Sequence, residues 1–235
     1  MWIIGDGGSP ERAQDNTRAS LELAIAEWAD GVLVHLRQTR DHLLVLSRLE
    51  KLRTAQGDHS LETLDTDTLK ELKPVHPGTG KPYPLLFLPE LLGWIGTDPI
   101  RAFIEPSGTL LDDRETLDRL GQTLLATPTR IPAFLVLPAG LTAPAGLPES
   151  RIWRTIRQEA DLPPLKNRPG TQAIVPLALA LSGQCGGLAR ILVTTTGPVP
   201  ELDRLRQIPG FWGVVTPTPY FTRKAATSLP PGATP

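Results

Sequence analysis

The sequence predicts an α/β fold, a single-domain (β/α)8 TIM barrel, and three observations carry that prediction. Short apolar segments alternate with helical patterns, as expected for a parallel sheet covered by helices. Eight strand candidates can be counted along the chain. Its 235 residues lie close to the ~250 typical of such a barrel and are enough to bury a substantial core. A doubly wound open sheet is the rival, and periodicity alone does not exclude it.

The first strand is the apolar run Trp2-Ile3-Ile4, which breaks at Gly5-Asp6-Gly7-Gly8. Gly5 to Gly8 reads as a strand-to-helix turn, since Asp6 would repel an anion and the rest of a dinucleotide motif is missing. Asp15-Asn16-Thr17 can cap a helix whose apolar face uses Leu21, Ala24, Ile25 and Trp28. Gly31 to Leu36 and Leu43 to Leu46 are the next two strands, with their turn at Arg40-Asp41-His42. Asp65 to Lys73 is a short helix, followed by a loop through Pro74, Pro77, Gly78, Gly80, Pro82 and Pro84. Pro89 suits the first turn of a helix running to Ile95. Ala102 to Glu105 is a strand ending at Pro106. Asp113 to Ala126 is the clearest amphipathic helix, with Leu117, Leu120 and Leu124 on one stripe. Ala133 to Leu137 is the fifth strand. From Pro138 to Pro169 a Pro/Gly/Ala loop leads into a helix at Glu149 to Glu159, with a sixth strand at Leu162 to Leu165. Ile174 to Gln184 reads as a helix broken near Pro176, and Pro200 to Gln207 as a short helix. Ala189 to Thr195 and Gly213 to Thr216 complete the strands. The barrel is expected over residues 1–227, with a disordered tail at 228–235, SLPPGATP, that has nothing to bury.

Composition excludes several classes of function. A net charge of −1, from 24 basic and 25 acidic residues, leaves no electrostatic footprint for nucleic acid or an anionic membrane. The single cysteine, Cys185, excludes an internal disulfide framework and a cysteine-rich metal site. No apolar stretch approaches the ~20 residues of a membrane span, and the start of the chain carries no secretory pattern, so a cytoplasmic location is expected. The five Trp residues are scattered and form no base-stacking ladder; Trp94, Trp153 and Trp212 are assigned to core or rim packing. His42, His59 and His76 fall in turns or loops.

Ala29 to Asp41, ADGVLVHLRQTRD, is the most informative stretch. It resembles the second strand of the glycerophosphodiester phosphodiesterase family, which reads roughly A-D-G-V-E-L-D-V-R-x-T-x-D. Residues two apart on a strand point the same way, so the family's Glu and second Asp form half an oxygen cage for a hard cation. Here those positions are Leu33 and His35. The resemblance continues along the chain. Ile3 to Gly8 stands where the family has a strand and His-Arg-Gly-Gly, Asp15-Asn16-Thr17 where it has Glu-Asn-Thr. Leu43 to Leu46 matches the strand before its His-Asp, Arg53-Thr54 its Arg-Thr, and Thr68 to Leu72 its T-L-x-E-L. Ile104-Glu105 matches its I-E-I-K, and Val193 through Pro219 its closing W-T-V-N and G-x-D-G-I-I-T-D-x-P segments.

The resemblance implies a (β/α)8 barrel, a place in lipid metabolism, and a phosphoric diester hydrolase chemistry in which two histidines act as acid and base beside a divalent cation. The matching histidine positions are Gly5 and Ser47, so no catalytic residue is expected. Arg48 stands where the family has Asp, Ser107 where it has Lys, and Trp212 where an acidic residue near the mouth precedes Gly213. Glu105 is the sole family metal ligand that remains, and no bound metal or other cofactor is expected. Asp6, Asp15, His35, Ser47, Arg48 and Glu105 are the candidates for the barrel mouth. Three functions follow. The first is a catalytically degenerate barrel that binds an unknown small ligand or protein partner, in which Arg48 pairs with Glu105 or Asp6 to neutralise the former cation site. The second is an active hydrolase with relocated groups, for which a divalent cation on Asp6, His35 and Glu105, or a Ser47-His35-Asp6 nucleophile set, is the alternative. The third is unrelated chemistry on a barrel scaffold.

Overall fold

The computed structural model describes residues 1–72, 74–76, 80–98, 100–166, 168, 170–197, 199 and 201–227. Eight parallel strands close on themselves: β1 (Trp2–Asp6), β2 (Gly31–Gln38), β7 (Arg101–Pro106), β8 (Phe134–Pro138), β9 (Ile152–Thr155), β10 (Gln172–Pro176), β11 (Arg190–Thr194) and β12 (Phe211–Thr216). β12 pairs with β1, and β1 with β2, which completes the ring. The protein is therefore a single (β/α)8 barrel, as the sequence predicts. Four further strands, β3 (Leu44–Leu46), β4 (Lys51–Thr54), β5 (Gly57–Ser60) and β6 (Leu86–Phe87), lie in the excursion between β2 and β7. The helices are α1 (Arg18–Ala26), α2 (Thr66–Glu71), α3 (Leu88–Thr97), α4 (Arg114–Ala126), α5 (Pro163–Lys166), α6 (Leu177–Leu181), α7 (Leu202–Arg206) and α8 (Pro219–Thr227). None among the described residues is long and apolar enough to cross a membrane.

Local chemistry starts the helices where the sequence marks them. The side chains of Thr17, Asp65 and Asp113 accept hydrogen bonds from the backbone N–H of Ser20, Thr68 and Thr116, capping α1, α2 and α4. Pro89 sits in the first turn of α3, where its missing N–H costs nothing. Inside the barrel, each strand contributes one residue to a central layer: Ile4, Leu33, Phe103, Val136, Trp153, Ile174, Leu192 and Val215. The N-terminal end is stoppered by Trp2 and Trp212, edge to face at 4.6 Å, with Arg101 and Arg190 stacked over them. Apolar residues on the opposite strand faces pack under the helices in two further clusters.

The strand count of eight is right, but two of its members are not barrel strands. Leu43 to Leu46 became β3, which runs antiparallel to β2 outside the ring. The five residues between β2 and β3 can only make a hairpin, since a parallel return needs a crossover of about a dozen residues. Leu162 to Leu165 is not a strand: a 3-10 turn at Glu159–Asp161 leads into α5. The helix expected at Glu149 to Glu159 is a 3-10 turn at Glu149–Arg151 followed by β9. The helix expected from Ile174 begins only at Leu177, after β10. Ile152 and Trp153, like Ala173 and Ile174, are buried on opposite faces of their strands, so these short strands lack the alternation that marks a half-exposed one. Trp28 is off the apolar face of α1, 72% exposed and left-handed at φ 68°, because α1 ends at Ala26 and Arg223 holds the Trp28 carbonyl. Residues 228–235, with Lys73, Pro77, Gly78, Pro169 and Pro200 of the expected loops and helices, lie outside the described residues.

Candidate functional site

The C-terminal ends of β1, β2 and β7 bring Asp6, His35 and Glu105 together. Register does this directly: Asp6 is the neighbour of Leu33, and His35 of Glu105. Leu33, two residues before His35 on the same strand face, forms the floor and is 4% exposed. His35 Nε2 lies 3.2 Å from Asp6 Oδ1, and its Nδ1 3.4 Å from Glu105 Oε2. The segment after β3 supplies Arg48, whose Nη2 donates to Asp6 at 2.6 Å and whose Nε donates to Asp15 at 3.2 Å. Asn16, in a left-handed conformation at φ 58°, accepts the His35 backbone N–H at 2.8 Å and donates to Asp15 at 3.1 Å. It thus ties the loop that carries Asp15 to β2. Asp6, Leu33, His35, Arg48 and Glu105 line a cavity of about 440 Å³, together with Pro176, Leu177 and Thr194 to Thr196.

Burial raises the Asp6 carboxyl, but the hydrogen bond to His35 and the charge of Arg48 outweigh it and hold the group below its ordinary 3.8. Burial likewise opposes the charge of Arg48, and Asp6 and Asp15 more than restore it. A depressed carboxylate contributes stability that is present above its ordinary pKa and lost as pH falls through the folded-state value. Asp6→Asn is accordingly expected to flatten the fall in Tm between about pH 5 and pH 2. Thermal melts of the two proteins across that range, if parallel, would refute the coupling.

The structure separates the residues expected at the mouth. A side chain at Gly5 would place its Cβ 2.6 Å from the Gly8 carbonyl oxygen and 2.9 Å from Ala24 Cβ, so this position faces α1 and not the mouth. Asp6 is the residue of that turn which lines the cavity. Ser47 does not join His35: its hydroxyl donates to the Leu49 carbonyl and accepts the Leu49 N–H, at 2.9 and 3.0 Å. No Ser47-His35-Asp6 nucleophile set is assembled, because both ring nitrogens of His35 face carboxylates. Of the two partners the sequence offers Arg48, it takes Asp6, adding Asp15, while Glu105 faces His35. Trp212 stands at the start of β12, at the closed end of the barrel, where it packs on Trp2.

The residues present do not fit a divalent cation. Among the described residues, no three His, Cys, Asp or Glu are placed to hold a metal ion. Leu33 presents no oxygen, and Asp6 is already bound to a guanidinium. Thr155 and Thr194 to Thr196 are part of the mouth that the sequence reading missed. Thr155 donates to Glu105 at 3.3 Å. The sole signal for it was a hydroxyl at the end of a strand that had itself been read as a helix.

No protein-family model matches the sequence, and no curated protein matches it. Solved structures do. An Oleispira antarctica phosphodiesterase, in complex with the product sn-glycerol-3-phosphate, superposes with a TM-score of 0.75 at 19% identity, covering 97% of each chain. The fold is that of the glycerophosphodiester phosphodiesterases. A Parabacteroides distasonis glycerophosphoryl diester phosphodiesterase gives 0.71 at 14% identity, over 99% of this chain and 88% of its own. The Thermotoga maritima glycerophosphodiester phosphodiesterase gives 0.67 at 20% identity, over 96% and 98%. The glycerophosphodiester phosphodiesterase fold therefore spans nearly all of this chain, the excursion with β3 to β6 included.

Proposed function

We propose that this glycerophosphodiester phosphodiesterase-like barrel is a pseudoenzyme that binds a small ligand or a partner at its mouth and does not hydrolyse phosphodiesters. The observation that carries the reading is the run of paired groups Arg48, Asp6, His35 and Glu105 above Leu33. Hydrolysis of a phosphodiester on this scaffold calls for a Lewis acid on the phosphoryl oxygens and proton carriers on both sides of phosphorus. A guanidinium here neutralises carboxylates that such a cation would use, and one imidazole stands where two proton carriers are needed. The barrel is assigned to residues 1–227 and to the cytoplasm.

The purified protein is expected to give no turnover of glycerophosphodiesters or bis-nitrophenyl phosphate with calcium, magnesium, manganese or zinc. Metal-dependent turnover abolished by a chelator would overturn the reading. A second reading, an active hydrolase with a rearranged site, is favoured by one feature: a His35 flanked by two carboxylates resembles an oriented acid/base pair. It requires His35→Ala and Glu105→Ala to abolish any activity found.

A further inference from the structure

The charges at the barrel mouth do not cancel. Beside the carboxylates of Asp6, Asp15 and Glu105 stands the guanidinium of Arg48, which is committed to the first two. Glu105 is left with the Thr155 hydroxyl at 3.3 Å and His35 Nδ1 at 3.4 Å, both longer than the ~2.7–2.9 Å of a good bond to a charged oxygen. Its side chain is 15% exposed, so water reaches it poorly. The remaining lining is apolar at Leu33, Pro176 and Leu177 and hydroxylic at Thr194 to Thr196. A weakly satisfied carboxylate beside apolar and hydroxyl walls, in a cavity within the ~300–1,000 Å³ range of small-molecule sites, is complementary to a cation that carries carbon and hydroxyl groups.

We infer that the mouth takes an organic ammonium ion, a hydroxylated amine whose nitrogen rests on Glu105, and rejects small anions. The assignment rests on the non-catalytic reading above. A carboxylate or phosphate ligand would meet Asp6 and Glu105 in the lining, and the guanidinium of Arg48 beside them is already neutralised by Asp6 and Asp15.

Three probes that differ chiefly in charge test it: 3-amino-1,2-propanediol, glycerol and glycerate, titrated into the full chain by calorimetry at pH 7.5. Saturable binding of the amine at least tenfold tighter than that of the other two is expected, with at least tenfold loss in Glu105→Gln. Glycerate binding as tightly as the amine, amine affinity unchanged in a folded Glu105→Gln, or no binding by any probe would overturn the assignment. The probe series on the unaltered protein decides even where a variant does not fold. Metal-dependent hydrolysis would overturn the pseudoenzyme reading; absence of both hydrolysis and amine binding would overturn the ammonium site alone.

Discussion

Replacing Leu33 by Glu and His35 by Asp is expected to make the protein bind manganese, with a metal-dependent rise in Tm that the unaltered chain does not show. Positions 33 and 35 share one strand face, and position 35 is the register partner of Glu105, so three carboxylates would converge on one point. Without metal the double variant is expected to melt well below the parent. Position 33 is 4% exposed, and an unpaired charge so placed costs several kcal/mol. Metal at about 100 times its Kd would return roughly 2.7 kcal/mol. Arg48 opposes the cation by charge, so adding Arg48→Asp should strengthen binding. Scanning fluorimetry with and without manganese reads the effect. A double variant that folds yet melts identically with and without metal would show that the mouth no longer has the geometry of a cation site.

Truncation of Trp153 is the second large effect. Its side chain is fully buried in the barrel interior, with ring centroids 5.5 Å from Phe103 and 6.4 Å from Phe134. Trp153→Ala removes most of one strand's share of the central layer and is expected to cost about 3–5 kcal/mol. Trp153→Phe should cost far less, about 1 kcal/mol, because the buried indole N–H has no hydrogen-bond partner among the described residues and an apolar replacement loses no bond there. Urea unfolding of the two variants separates the contributions. Equal losses would mean that the indole N–H matters more than the packed volume.

The fold was legible to different degrees along the chain. α4 could be read from its stripe of leucines and α1 from its capping Thr17, since an exposed outer face and a local side-chain bond both leave marks in neighbouring residues. β9 and β10 could not, because strands buried on both faces read as short apolar runs that a helix explains equally well. Leu43 to Leu46 is not a barrel strand, and the six-residue gap between it and the strand expected at Gly31 to Leu36 already argues against a parallel return. Within the site, His35 and Glu105 were found because each lies on a recognisable strand. Gly5, matched to the family's first histidine, faces α1, and a sequence does not reveal which residue of a strand end turns inward.

By itself the sequence determined an alternation of strands and helices of barrel length, that Leu33 and His35 stand where the resemblance puts carboxylates, and that one arginine enters the same neighbourhood. Those are properties of residue type and order, which local periodicity and spacing preserve. Only the tertiary structure decided that Asp6 faces the mouth, that Arg48 takes Asp6 and Asp15 as partners, and that Glu105 is left to His35 and Thr155. His35 and Glu105 are 70 residues apart and Glu105 and Thr155 are 50, and ion pairing depends on ångström distances that only closure of the ring sets.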